Sequence, residues 1–257
     1  MSTNDPLLVA EDLHIGFGGI KAADGVSLTV NRGETLAIIG PNGAGKTTFI
    51  NVATGYLRPE RGRIHFDGCD ITGRPPRAIT RMGVARSFQI PQLFTEHTAL
   101  DNLLLAAAAR DGAWQPWRRL RGLTERRETL ELLDLVGLRD AADHVITELP
   151  EGVRKLIDIA VALALRPKLL LMDEPTSGVS STEKFGIMDT LLHALERREV
   201  TAVFVEHDME MVSKYAGRVA VWNQGRIVAE GPPAAVLSDP AVLRDVTGME
   251  GGGHAAA

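Results

Sequence analysis

The 257-residue chain is 44% hydrophobic, enough to bury a substantial core, and its length suits one large α/β domain or two small ones, of which one domain with lobes is expected. Its formal charge of −5, with acidic and basic residues mixed along the chain, argues against a general grip on nucleic acid. A single cysteine, Cys69, excludes an intrachain disulfide framework and a cysteine-rich zinc site and is compatible with a reducing cytosol.

The start, Met1-Ser2-Thr3-Asn4-Asp5-Pro6, has neither the basic opening nor the apolar centre of a signal peptide. The longest apolar stretches, such as Leu103 to Ala109 and Ile159 to Leu165, fall short of the ~20 residues that span a bilayer. The chain is therefore expected to stay cytoplasmic and to reach a membrane only through a partner. Residues 7 to 39 alternate apolar runs with turn signals at Phe17-Gly18-Gly19, Asp24-Gly25 and Asn31-Arg32-Gly33, which predicts short strands, some of them antiparallel. Thr35 to Ile39 reads as a buried strand and Thr48 to Thr54 as the start of a helix. Ile64-His65-Phe66 followed by Asp67-Gly68 predicts a strand and a tight turn. Leu100 to Leu138 is helical in pattern, broken near Asp111-Gly112 and Pro116. After Pro167 come a strand at Leu169 to Met172, a helix over Glu183 to Arg198, and strands at Ala202 to Val205 and Arg218 to Trp222, the last ending in a turn at Asn223-Gln224-Gly225. Strands alternating with helices imply a parallel-sheet core. The glycine- and alanine-rich tail from Gly248 to Ala257 is expected to be mobile, with His254 a solvated residue.

Between the predicted strand and helix stands Gly40-Pro41-Asn42-Gly43-Ala44-Gly45-Lys46-Thr47-Thr48, which fits G-x-x-x-x-G-K-[ST]. Glycines let the backbone curl around a phosphate chain, so that successive N–H groups and the positive end of the helix face the β- and γ-phosphates. Lys46 can bridge those phosphates, and Thr47 offers a hydroxyl to Mg²⁺, which prefers hard oxygen ligands. The strand Leu169 to Met172 runs into Asp173-Glu174. Asp173 is placed to hold the metal directly or through water, and Glu174 to polarise a water for in-line attack on the γ-phosphate. His207, at the end of the Ala202 to Val205 strand, is a candidate to orient that water and sense the γ-phosphate. Gln89, where the core pattern yields to the helical segment, offers a neutral amide to Mg²⁺ or water.

On these residues the chain resembles the ATPase subunit of an ATP-binding cassette (ABC) transporter over nearly its whole length. Gly40 to Thr48 resembles the Walker A loop, Leu169 to Asp173 the Walker B strand, Glu174 the catalytic glutamate, Gln89 the Q-loop and His207 the switch histidine. Three stretches are similar to branched-chain amino acid importer cassettes: Phe17-Gly18-Gly19-Ile20-Lys21-Ala22, Arg81 to Gln89, and Val205 to Met209. The resemblance implies an α/β fold. Its RecA-like P-loop nucleotide-binding core covers about residues 1–88 and 159–247, with an antiparallel β lobe and a helical lobe over about 89–158. It also implies that Phe17 stacks on adenine. It further implies ATP and Mg²⁺ as cofactors, a second ABC ATPase and transmembrane permease subunits as partners, and a substrate-binding protein acting indirectly.

The chain departs from the family at the signature loop, usually a variant of Leu-Ser-Gly-Gly-Gln. Here the aligned residues are Leu149-Pro150-Glu151-Gly152-Val153, ahead of a helix expected to begin near Lys155. Pro150 has neither the hydroxyl nor the N–H that would bond the γ-phosphate on the opposite subunit. This favours a heterodimer with a second, related cassette over a homodimer. It also leaves open a regulatory subunit with weak hydrolysis, beside the alternative of a soluble non-transport cassette. Ser180 stands where many cassettes have aspartate. Trp114 to Arg121, which interleaves aromatics with arginines, reads as a solvated elaboration of the helical lobe.

Overall fold

The computed structural model describes residues 5–111 and 123–247, so the Trp114 to Arg121 segment and the tail with His254 lie outside the described residues. In chain order the elements are β1 (Pro6–Phe17), β2 (Ile20–Asn31), β3 (Thr35–Ile39), α1 (Lys46–Ala53), β4 (Arg61–Phe66), β5 (Cys69–Asp70), α2 (Pro76–Met82), β6 (Val84–Ser87), α3 (Ala99–Arg110), α4 (Leu123–Leu135), α5 (Glu151–Ala164), β7 (Leu169–Asp173), α6 (Lys184–Arg197), β8 (Thr201–Val205), α7 (Met209–Tyr215), β9 (Arg218–Asn223), β10 (Arg226–Gly231), α8 (Pro233–Leu237) and α9 (Pro240–Thr247). The described residues fall into two compact units. One is drawn from both ends of the chain, up to Arg74 and from Val203; the other runs from Pro75 to Ala202.

In the first unit, β2-β1-β4-β5 form an antiparallel sheet. Along β2, Val26, Leu28 and Val30 are buried while their neighbours are not, the two-residue period of a strand with one face on the core. The Asp24-Gly25 turn signal is not a turn. Leu13 pairs with Val26 and His14 with Asp24, so Gly25 is the extra residue of a bulge, and β1 and β2 each run for 12 residues instead of breaking into short strands. The other strands of this unit follow the order β10-β9-β3-β8. β3 and β9 are parallel, and Leu36 to Ile39 and Val219 to Trp222 are buried without alternation, as strands covered on both faces must be. The expected turn at Asn223-Gln224-Gly225 is present, with Asn223 paired to Arg226 across it, and it returns the chain as the antiparallel edge strand β10. β10 alternates exposed and half-buried residues.

Arg218, at the start of β9, ties this unit together. Its guanidinium donates to Glu34 at 2.6 and 3.2 Å, and also to the Thr29 carbonyl of β2 and the Glu230 carboxylate of β10.

In the second unit β6 lies parallel to β7, from Val84 opposite Leu169 to Ser87 opposite Met172. The residues that follow, Phe88-Gln89 and Glu174, therefore leave the sheet side by side. α5 lies against α3, α4, α6 and β6, through a face that includes Leu156, Ile157, Ile159, Ala160 and Leu163. Glu128 on α4 accepts from Arg110 of α3 at 3.1 Å and from Arg166 beyond α5 at 2.8 Å. Thr98 caps α3 by accepting from the Asp101 N–H at 3.1 Å. β6 pairs with β7 and α5 packs on β6, which joins strands and helices within this unit.

Truncating Arg218 strands the half-buried Glu34 charge. Arg218→Ala should lower the unfolding free energy by about 2 kcal/mol, and adding Glu34→Gln should restore a good part of it. Urea midpoints of the two single variants and the double variant measure the coupling; strictly additive losses would show that the pair does not stabilise the unit.

Candidate functional site

The first unit builds the phosphate loop between β3 and α1. The helix begins at Lys46, two residues earlier than expected, with Gly45 as its N-cap at φ 117°. Two glycines are required sterically as well as conformationally. A Cβ on Gly40, at φ 146°, would sit 1.9 Å from the Trp222 carbonyl oxygen, and one on Gly45 would sit 1.9 Å from that of Ala22. Trp222 supports the loop from beneath: it is fully buried, stacks at a tilt on Phe49 of α1 with ring centres 5.4 Å apart, and its indole N–H donates to the Ala22 carbonyl at 3.3 Å. Lys46 is buried and its ammonium donates to the Gly40 and Pro41 carbonyls at 2.7 and 2.8 Å, which centres the charge over the loop. Asn42, Gly43 and Thr47 are exposed, Pro41 and Thr48 half-buried, and Ala44 buried.

A cavity of 380 Å³ beside the loop is lined by Pro41 to Ala44 together with Ile20, Lys21, Asn223 and Gln224. Phe17 is 49% exposed at the end of β1 and does not line it; Ile20, three residues on, does. His207 lies just past the end of β8, exposed, and its backbone N–H donates to the buried Glu206 carboxylate at 3.2 Å.

The second unit gathers the carboxylates at the carboxyl ends of β6 and β7. Asp173 is 4% exposed and its Oδ2 accepts from Arg86 of β6 at 3.2 Å. The Arg86 guanidinium also lies 4.7 Å from the centre of the Phe88 ring. Glu174 has φ 51°, a left-handed conformation that costs a side-chain-bearing residue about 1 kcal/mol or more and that clusters at functional positions. Gln89 meets it directly: the amide Nε2 donates to Glu174 Oε2 at 2.8 Å.

Just below this pair lie two α5 residues that the sequence reading did not single out. Lys155 Nζ donates to the Glu174 backbone carbonyl at 3.2 Å, and Asp158 accepts the backbone N–H groups of Phe88 and Gln92 at 3.1 and 3.0 Å. Burial pushes the Asp158 carboxyl up to about 6, against the two N–H groups and the Lys155 charge, which pull it down. The signal was available: Lys155 and Asp158 are charged residues flanking Leu156 and Ile157 at the start of a buried apolar run.

The helix beside the expected signature loop starts earlier than the sequence suggests. α5 begins at Glu151, four residues before Lys155, because Pro150 at φ −58° occupies the N-cap and its carbonyl accepts the Arg154 N–H at 3.0 Å. Glu151, Gly152 and Val153 are thus the first helical turn, with Leu149 half-buried ahead of them and Pro150 exposed. The Glu151 carboxylate lies over Gly178, where a Cβ would come within 2.3 Å of Oε1, so it turns toward the Thr176-Ser177-Gly178 loop. A larger cavity of 690 Å³ is lined by Arg77, Arg81, Gly83, Arg110, Arg166 and Lys168. Gly83 and Lys168 precede β6 and β7, so this cavity opens at the amino ends of the strands. Ligands of parallel α/β sheets bind at the other end.

Comparison with known proteins agrees with this chemistry. The ABC transporter family profile matches residues 23–177. A probable branched-chain amino acid transport ATP-binding protein of Archaeoglobus fulgidus is 35% identical over 95% of this chain and 96% of its own length. A cobalt import ATP-binding protein of Rhodobacter capsulatus is 40% identical over 93% of this chain and 83% of its own. A crystal structure of the ADP conformation of an ATP-binding cassette of an ABC transporter superposes with a TM-score of 0.85 at 35% identity, covering 95% of this chain and 99% of that one. With its phosphate loop and strand-end carboxylates in place, the chain belongs to the ABC transporter family as an ATP-binding cassette of the kind that hydrolyses ATP in transport.

Proposed function

We propose that this cassette is the ATP-hydrolysing subunit of an importer for branched-chain amino acids or related small polar solutes, cytoplasmic and held on the inner face of the membrane by permease subunits. The observation that carries hydrolysis is the strand end at which Glu174, held in a left-handed conformation, meets Gln89. The solute class rests on the branched-chain amino acid relatives; the cobalt import relative is the competing indication. No helix of the described residues is long and apolar enough to cross a membrane, which fits a subunit that relies on partners.

Lys46 and the start of α1 hold the β- and γ-phosphates. Phe17 stacks on adenine, and His207 donates to the γ-phosphate and orients the attacking water. Thr47, Asp173 and the amide oxygen of Gln89 would be the oxygen donors for Mg²⁺. Each offers the hard oxygen that Mg²⁺ prefers, and Asp173 is a buried carboxylate whose Oδ2 is oriented by Arg86. When bound, the ion neutralises charge on the phosphates. Glu174 takes a proton from the water as its oxygen bonds to the γ-phosphorus. The bond from that phosphorus to the β,γ-bridging oxygen breaks, and ADP leaves with the electron pair.

Cassettes of this family act as dimers on transmembrane permeases. Pro150 favours a heterodimer, since the site that uses this chain's signature lacks the serine hydroxyl. The same residue is what favours a weakly hydrolysing regulatory subunit as the second reading. The loop after Gln89 presents Ile90, 74% exposed, and Phe94, 61% exposed, an apolar pair suited to a permease segment that senses Gln89.

Purified chain should bind Mg-ATP alone and turn it over on mixing with a partner cassette. Glu174→Gln should lower kcat by about 10²- to 10⁴-fold while retaining ATP, and turnover at the wild-type rate would remove Glu174 as the base. Pro150→Ser should raise turnover in a complex limited by that site; an unchanged rate would count against the heterodimer argument. Replacing Ile90 and Phe94 by aspartate should abolish co-purification with permease and leave ATP binding intact, and retained permease would place the contact elsewhere.

A further inference from the structure

Lys155 and Asp158 are three residues apart, hence neighbours on one face of α5. The lysine holds the backbone of Glu174, and the aspartate holds the backbone on both sides of Gln89. Each Asp158 oxygen takes one N–H: Oδ2 that of Phe88, Oδ1 that of Gln92. Between these anchors lie only Gln89, Ile90 and Pro91, and Pro91 has no N–H to contribute. The exposed Gln89 side chain therefore owes its position on Glu174 to a buried carboxylate on the neighbouring helix.

We propose that Asp158 is a positioning residue for ATP hydrolysis: by clamping the N–H groups of Phe88 and Gln92 it fixes the segment that keeps the Gln89 amide on Glu174. The proposal rests on the reading of Glu174 as the general base. A carboxylate that is 6% exposed is costly to keep in an apolar helix face unless it is hydrogen-bonded, and Asp158 has the two loop N–H groups as its partners. It acts through the loop. Turnover should therefore depend on Asp158 while ATP affinity, set chiefly by the phosphate loop, does not.

The test compares Asp158→Asn, which keeps the shape but replaces one acceptor oxygen, with Asp158→Ala, which removes both, and with Asp158→Glu, which retains both on a longer stem. All are measured in the assembled complex beside Glu174→Gln. The expected result is a kcat lowered about tenfold in Asp158→Asn and further in Asp158→Ala, partly recovered in Asp158→Glu, with KM for ATP within about twofold of wild type. Amide exchange at Phe88 and Gln92 should quicken by about tenfold or more in the first two variants, with thermal midpoints within about 3 °C of wild type. Wild-type kcat in Asp158→Asn and Asp158→Ala, with Glu174→Gln inactive, would overturn the positioning role and leave the general base standing. An active Glu174→Gln would remove the base and the proposal together. Loss of ATP binding or of thermal stability in step with kcat in Asp158→Asn would make Asp158 a structural residue and overturn the proposal as well.

Discussion

The phosphate loop depends on a close approach that admits no side chain. Gly40 and Gly45 bring their α-carbons against the backbone carbonyls of Trp222 and Ala22, where a single added carbon would overlap by more than an ångström. Everything the loop does follows from being held there. Lys46 can turn its ammonium onto the Gly40 and Pro41 carbonyls only because the chain between Gly40 and Gly45 folds over it. α1 can begin at Lys46 because Gly45 takes up a conformation that other residues resist. Trp222 contributes by size and by its indole N–H, and its burial ties the loop to the most enclosed part of β9.

A different device operates in the second unit. There the parallel register of β6 and β7 sets Arg86 beside Asp173 and delivers Gln89 and Glu174 to the same strand ends, while one turn of α5 supplies polar anchors for both backbones. The phosphate loop is rigid because atoms exclude one another, whereas the carboxylate end is held by hydrogen bonds to charged groups. The second kind of restraint can be released and remade without moving the strands.

The sequence made the chemistry legible where the spacing itself is the constraint. Gly40 to Thr48 had to be a strand-to-helix loop because only that arrangement uses two glycines, a lysine and a threonine at those intervals, and Asp173-Glu174 was placed by the apolar run that ends there. It was less legible where tertiary contacts decide. Asp24-Gly25 carries the composition of a turn, but pairing with β1 absorbs it as a bulge. The polar stretch from Glu151 to Lys155 gave no sign that Pro150 starts the helix, since propensity disfavours Gly152 while packing against Ile187 rewards its small size. Charges set in a buried apolar run mark Lys155 and Asp158 as unusual, but their partners are backbone groups, so the sequence does not show what they hold.

The edge strand β10 has a consequence for how such chains meet. Arg226 is tied to Asp24 at 2.8 Å and Glu230 to Arg218, so charges stand along the strand where a bare sheet edge would invite another chain's backbone. The chain then turns away at Gly231-Pro232, and proline has no N–H to extend the ladder. Growth of the sheet from one molecule into the next is therefore blocked on this side. Two copies that collide along this edge are thus kept from strand exchange, the route that leads to insoluble assemblies.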